Sequence, residues 1–360
     1  MFVIPLNQFF VYNKNQEVSF MIDIGNSILF FSMLMSGVTG MKADYSKDYI
    51  TSLDYHSSTP VAASTSEELK LIVYDVKNKS TNLIVTYYSS YPSTETSSKK
   101  PSYSSNYYYS FDMSDANSTQ KFSRNFVYPN YEDKQHYELS SICITRCSEN
   151  NIIHQGSAFA VSDRSVLSAA HCFYSNGKFF SNPLIGILQQ KKNNEFYCSF
   201  NVSKIIIPYS YYINGNQDDD WCYCIVDDYL DEKDKKTHEL SYYTGYLSIA
   251  AGYTLADVNN YACGYLGNLQ KDDPNYLQLA YSSARGVKNY NTALYELYNY
   301  AIGGMSGGPL LFQYEDSMTL ETYFGVAGIV AYTNISDNHG YAVKITNATI
   351  AALRSTKNYE

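Results

Sequence analysis

Gly303-Gly304-Met305-Ser306-Gly307-Gly308-Pro309 is the stretch whose reading decides this chain. Glycines flank one serine on both sides, and a proline then launches the apolar run Leu310-Leu311-Phe312. A turn this crowded brings backbone amides together, and residues without a Cβ tolerate it best. Upstream lie Leu167-Ser168-Ala169-Ala170-His171-Cys172 and Asp220-Trp221-Cys222-Tyr223-Cys224-Ile225-Val226. Together they supply a His, an Asp and a Ser, in that order. A serine hydroxyl is a poor nucleophile until a base takes its proton. An imidazole can do so near neutral pH, and a buried carboxylate holds the imidazole in the right tautomer. His171 is therefore the candidate general base, Asp220 the orienting carboxylate and Ser306 the nucleophile. Asp220 ends the acidic loop Asp218-Asp219-Asp220 at a strand entry, so it can be buried while its neighbours stay in water. Asp219 is the alternative if the register slips by one. The amides of Gly304 and Ser306 are expected to face a developing oxyanion. Taken singly, each motif has a plainer reading: a loop, a solvated turn, a surface histidine. Three in order favour chemistry.

More of the chain joins the pattern. "GSAFAVSDRSVLSAAHC" runs from Gly156 to Cys172, "DDWCYCIV" from Asp219 to Val226 and "TGYLSI" from Thr244 to Ile249. "CGYLGN" spans Cys263 to Asn268, "GGMSGGPLL" Gly303 to Leu311, and "VAGIVAYTN" followed by "GYAVKIT" lies between Val326 and Thr346. In these motifs the chain resembles chymotrypsin-like serine proteases, and within them the glutamyl-endopeptidase (V8-like) branch, across about residues 125–357. The resemblance implies an all-β fold: two antiparallel six-stranded β-barrels with a C-terminal helix. It implies serine endopeptidase activity through an acyl-enzyme, with protein or peptide substrates and no cofactor. It also implies a substrate pocket lined by Tyr300, Ala301, Ile302, Val330, Ala331, Tyr332, Thr333 and Gly340. Glutamyl endopeptidases carry a His where Val330 stands and a Thr or Ser where Ala301 stands. No carboxylate stands at Tyr300 to attract Lys or Arg. An uncharged P1 residue is the expectation, because an unpaired buried charge is costly. Trypsin-like enzymes carry, where Met305 stands, an Asp that captures a new N-terminal ammonium, and a thioether cannot form that pair. V8-like relatives often bridge the position of Cys172, and the resemblance suggests a Cys172–Cys198 disulfide.

Composition sets bounds. The chain has 360 residues, 45% of them hydrophobic, and a net charge of −9, so a sizeable core is possible. No basic stripe appears, which argues against a nucleic-acid partner. Tyr is used 39 times against a single Trp, and Tyr favours strands. Cys143, Cys147, Cys172, Cys198, Cys222, Cys224 and Cys263 are odd in number, so one thiol at least stays unpaired within the chain. Cys222 and Cys224 share a face of one strand and are poorly placed to bridge each other. No C-X-X-C pair occurs, so a metal site is not expected.

Residues 1–43 read as a signal segment, with a possible start at Met21. Its core is the run from Ile28 to Val38, too short to span a bilayer, and Ala43 lies near a plausible cleavage point. A buried strand or helix is the competing reading. With the Asn-X-Ser/Thr sequons at Asn78, Asn117, Asn201, Asn334 and Asn347, this suggests a secreted or vesicular glycoprotein. Residues 44–123 are rich in Ser and Tyr and read as a propeptide or flexible arm, which would make the protein a zymogen. Only Leu69 to Val76 and Asn82 to Tyr88 look like strands there. Residues 124–240 are expected to form the first barrel and 241–360 the second barrel with the terminal helix, over Asn347 to Arg354. Two other functions compete with the protease: a catalytically inactive protease-like binding module, and a surface-adhesion protein acting through the Tyr/Ser-rich arm.

Overall fold

The computed structural model describes residues 66–89, 137–150, 152–187, 196–252, 260–267, 279–283, 288–297, 303–315, 322–334 and 339–360, with shorter pieces elsewhere. The chain divides into two compact units, Met1–Pro60 with Glu315–Thr322, and the remainder. In the first unit, Phe9–Lys14, Glu17–Ile24 and Ser27–Leu34 form an antiparallel three-stranded meander. The third strand overlaps the run read as the core of a signal segment. Ala43 lies outside the described residues.

The second unit begins with a hairpin of two ten-residue strands, β1 (Ser66–Asp75) and β2 (Ser80–Ser89). Six further strands are β3 (Ile142–Glu149), β4 (Ile152–Ala160), β5 (Ser165–Ser168), β6 (Ser181–Ile187), β7 (Cys198–Pro208) and β8 (Cys222–Val226). They run in the order β6-β3-β4-β5-β8-β7, and β6 pairs β7 to close a six-stranded barrel. Every residue of β5 and β8 is buried, which is why β8 reads as a continuous apolar run instead of an alternating one. Closure leaves half of β7 free on one edge. Residues Cys198 to Asn201 pair with β6, and Lys204 to Pro208 pair with β1 instead. The hairpin so extends the barrel sheet, and Leu71, Ile72 and Val73 are buried in its core.

The second sheet is built on β9 (Ser248–Ala250), β10 (Asn260–Tyr265), β11 (Leu279–Ser283), β12 (Leu294–Leu297), β13 (Pro309–Glu315), β14 (Thr322–Asn334) and β15 (His339–Lys344). Its order is β12-β15-β14-β13-β10-β11, with Lys288–Asn289 and Asn125–Phe126 at its two ends and β9 parallel to β14. Among the described residues this sheet is not closed. Two short pieces before residue 100 also lie on the second unit. Thr94–Glu95 pairs β9, and Lys99 forms a bridge with Tyr246 while its Nζ meets Asp163 and Ser241.

The C-terminal helix (Asn347–Thr356) carries a capping box, in which Thr346 and Thr349 satisfy each other's amides at 3.4 and 3.3 Å. After it, the Glu360 carboxylate accepts hydrogen bonds from Ser162 (2.8 Å), Ser165 (2.9 Å) and Tyr223, docking this end on the barrel. The fold is of the all-β, chymotrypsin-like kind expected: a closed barrel, a second sheet and a C-terminal helix. Among the described residues no helix is long and apolar enough to cross a membrane.

Candidate active site

His171 stands on a single 3-10 turn, Ala170–Cys172, where β5 ends. Ala169 and Ala170 are fully buried, and their small side chains let this turn pack tightly against the barrel. Asp220 follows another 3-10 turn, Gln217–Asp219, just before β8. Since β5 and β8 pair with Ser168 opposite Cys222, the two turns emerge side by side from one end of the sheet. The Asp220 carboxylate accepts from the His171 ring Nδ1 at 2.7 Å and from the His171 backbone amide at 3.0 Å. Asp220 is 4% exposed, and its neighbour Asp219 is instead taken by Ser210 (2.5 Å) and Asn216 (3.0 Å). The register therefore favours Asp220 over Asp219.

Burial works against a charged His171 imidazole. The Cys172 sulfur and the Asp220 carboxylate beside it outweigh that, and its pKa stands well above the ordinary histidine value.

Ser306 sits in the turn between Gly303 and Pro309. Gly304 has φ +97° and Gly307 φ +85°, the left-handed region that favours glycine. A Cβ at Gly304 would meet the Gly267 nitrogen at 2.0 Å, and one at Gly307 the Ser157 carbonyl oxygen at 2.1 Å. The carbonyls that lead into Ser306 are tied down. Gly267 donates to Gly303 O (2.9 Å), Ser157 Oγ to Gly304 O (2.8 Å) and the Gly308 amide to Met305 O (2.9 Å). A trans peptide points its N–H opposite its C=O. The ties on Gly303 and Met305 therefore turn the Gly304 and Ser306 amides away from the body of the turn. Among the described residues neither amide donates to another backbone acceptor.

The Ser306 hydroxyl donates to Ala331 O at 3.1 Å. It is not hydrogen-bonded to His171 in this conformation. The Ser306 carbonyl accepts from the Ser157 amide (2.7 Å) and from Cys172 Sγ (3.4 Å), so the glycine turn and the histidine turn are in direct contact. Met305 is buried among Ala262, Leu266, Tyr295, Leu297 and Leu310, an apolar setting with no place for a captured ammonium.

The expected Cys172–Cys198 disulfide is not formed: all seven cysteines are free. Cys172 Sγ is directed to the Ser306 carbonyl, whereas Cys198 begins β7, opposite Ile187. Cys222 and Cys224 lie with their sulfurs 3.9 Å apart, sharing a face and unbridged as expected. Among the described residues no group of His, Cys, Asp and Glu could hold a metal ion.

Of the pocket residues, Val330 and Ala331 are buried on β14, Gly340 is buried on β15, and Tyr332 and Thr333 are half-buried. Tyr300, Ala301 and Ile302 lie outside the described residues. Two participants escaped the sequence reading. Tyr341 stacks on Tyr332, centroids 4.8 Å apart, and burial beside Tyr341 pushes the Tyr332 phenol up to about 12. Its position next to Gly340 on a strand is the signal that could have found it. Ser157, inside a quoted motif, ties β4 to the nucleophile turn through its amide and hydroxyl, and nothing in its spacing announces that.

No protein-family model matches the chain, and no curated protein matches it. Solved structures do. A Glu endopeptidase in complex with MPD shares 16% identity over 61% of this chain and 91% of that one, with a TM-score of 0.48. The protease Anisep from Arthrobacter nicotinovorans shares 17% over 60% and 94%, with a TM-score of 0.48. The thermostable serine protease AL20 from an extremophilic microorganism shares 14% over 62% and 97%, with a TM-score of 0.47.

Proposed function

We propose that the protein is a serine endopeptidase in which His171, Asp220 and Ser306 form the triad. The observation that carries this reading is the pairing of Asp220 with His171 Nδ1 at 2.7 Å, beside a glycine turn that presents Ser306. Asp220 holds the imidazole so that Nε2 is free to take a proton. The Ser306 hydroxyl swings off Ala331 O to His171, loses its proton to Nε2 and attacks the substrate carbonyl. The amides of Gly304 and Ser306 stabilise the resulting oxyanion. His171 then passes the proton to the leaving amine, and water hydrolyses the acyl-enzyme.

An uncharged P1 residue suits the pocket, because Val330, Ala331 and Gly340 offer it no charge and Tyr332 offers only a phenol. Apolar discrimination of this kind is loose, about 1–3 kcal/mol per methylene. Entry to the secretory route through residues 1–43 and glycosylation at the sequons are part of the same proposal.

The test is a fluorophosphonate probe on the full chain. Wild type is expected to be phosphonylated at Ser306 with loss of fluoride, and Ser306→Ala to lose this labelling while keeping its melting temperature. Labelling of Ser306→Ala at the wild-type rate would discard the assignment. A P1-varied peptide series is expected to favour uncharged side chains, and strong selection for Glu, Arg or Lys would overturn the pocket.

One observation favours a second reading, an inactive binding module on the same fold: the Ser306 hydroxyl rests on Ala331 O rather than on His171. An unlabelled wild type that still binds peptides would select it.

A further inference from the structure

His171 stands on a single 3-10 turn and Asp220 directly follows another, both outside any strand. Their positions are therefore set by what packs behind them. The chain leaving His171 makes a small hairpin in which Tyr174–Ser175 pairs Lys178–Phe179. The chain approaching Asp220 leaves β7 and passes through α1 (Tyr209–Asn214). The two approaches meet in a cluster of rings. Tyr174 lies 4.8 Å from Phe179 and 5.1 Å from Tyr212, centroid to centroid, and its hydroxyl donates to the Tyr212 carbonyl at 2.9 Å. Burial and, after it, the Asp220 charge raise the phenol of Tyr211, next in sequence to Tyr212, above its ordinary value.

The cluster is capped from the N-terminal segment. Tyr74 of β1 stacks on Phe179 with centroids 4.1 Å apart and planes within 1°. The same strand pairs Lys204 to Pro208, the half of β7 that β6 has left and that runs directly into α1. One strand of the Ser/Tyr-rich segment thus touches both approaches: one by ring stacking, the other by its backbone ladder.

We propose that the β1–β2 hairpin is a built-in brace of the active site, with Tyr74 as a positioning residue for His171 and Asp220. This rests on the triad reading above. A cleavable segment that only inhibits would be dispensable after maturation, whereas a brace stays. A cut at the end of the 44–123 segment would leave the hairpin held by its pairing with β7 and by the buried Leu71, Ile72 and Val73.

The test compares full-length wild type with Tyr74→Phe and Tyr74→Leu. Phe keeps the stack, and Leu keeps apolar bulk without it. Two readouts are taken on protein shown folded by its thermal melt. One is the downfield ring N–H proton of His171 by NMR, which reports the bond to Asp220 whether or not the protein is an enzyme. The other is the rate of fluorophosphonate labelling of Ser306, with kcat and KM measured separately. Small misplacements of catalytic groups cost up to about 100-fold. Tyr74→Leu is expected to weaken or broaden the His171 resonance and to slow labelling by about tenfold or more, in kcat rather than KM. Tyr74→Phe is expected to match wild type. A folded Tyr74→Leu with an unchanged resonance and rate would overturn the brace, as would failure of Phe to rescue. If Tyr74→Leu does not fold, Phe179→Leu breaks the same stack from the other side under the same criteria. If wild type is never labelled, the protease reading falls and the His171 resonance alone decides the brace.

Discussion

At the residue scale, the histidine turn controls how the site would respond to pH. His171 is useful as a base only when unprotonated. Its folded pKa stands well above about 6.5, the ordinary value, chiefly because Cys172 and Asp220 overcome burial. Activity should therefore fall as pH drops through that raised value, giving an acid limb well above 6.5. Asp220→Asn should move the limb down and cost about 10⁴ in kcat, since the imidazole loses its anion and its tautomer. A pH profile of kcat/KM for both proteins checks this, and a wild-type limb at or below 6.5 would contradict it. For folding the sign is opposite. The stabilisation from charged His171 is fully present below about pH 6.5 and is lost as pH rises through the folded value. The residue scale also shows how selective the glycine requirement is. Gly304 and Gly307 hold positive φ against backbone atoms of neighbouring segments, whereas a Cβ added at Gly303 would meet nothing within 4 Å.

At the element scale, the hairpin and β6 are the instructive strands. The strand character of Leu69 to Val76 and Asn82 to Tyr88 was legible from their apolar content. Their partner was not, because the free edge of β7 exists only once the barrel has closed. β6 has no local strand signal, because "SNPLIGI" carries Pro183 and Gly186, both strand breakers by local rule. Gly186 is explained by tertiary contact: a Cβ there would meet the Phe196 ring at 2.5 Å. If the hairpin belongs to the folded body, thinning its core must cost stability. Leu71 is fully buried, so Leu71→Ala should destabilise the protein by about 2–5 kcal/mol, measured by urea denaturation. A loss below about 0.5 kcal/mol would mean the hairpin unfolds independently of the barrel.

At the scale of the whole molecule, stability comes without cross-links. All seven cysteines are free and buried. Burial pushes the Cys143 thiol up to about 12 and those of Cys222 and Cys263 well up, which makes them poor nucleophiles toward oxidants and disulfides. Protein denatured without reductant should therefore release seven titratable thiols to a thiol-specific chromophore. Recovery of five, with Cys172 and Cys198 on one linked peptide, would restore the bridge that the resemblance suggested.

The sequence by itself determined which candidate catalytic groups the chain carries. Motifs around His171, Asp220 and Ser306 are local: a small-residue strand end, an acidic strand entry and a glycine turn each encode their own backbone shape. Short apolar runs between turn residues were enough to read an all-β chain. Only the tertiary structure decided what meets what. It set Asp220 rather than Asp219 on the imidazole, aimed Cys172 at the Ser306 carbonyl instead of at Cys198, and gave Ser157 its hold on the nucleophile turn. It also joined β1 to an edge of β7 that no local signal marks. These are contacts between residues tens to hundreds of positions apart, and their geometry follows from sheet closure and packing, which a one-dimensional pattern does not contain.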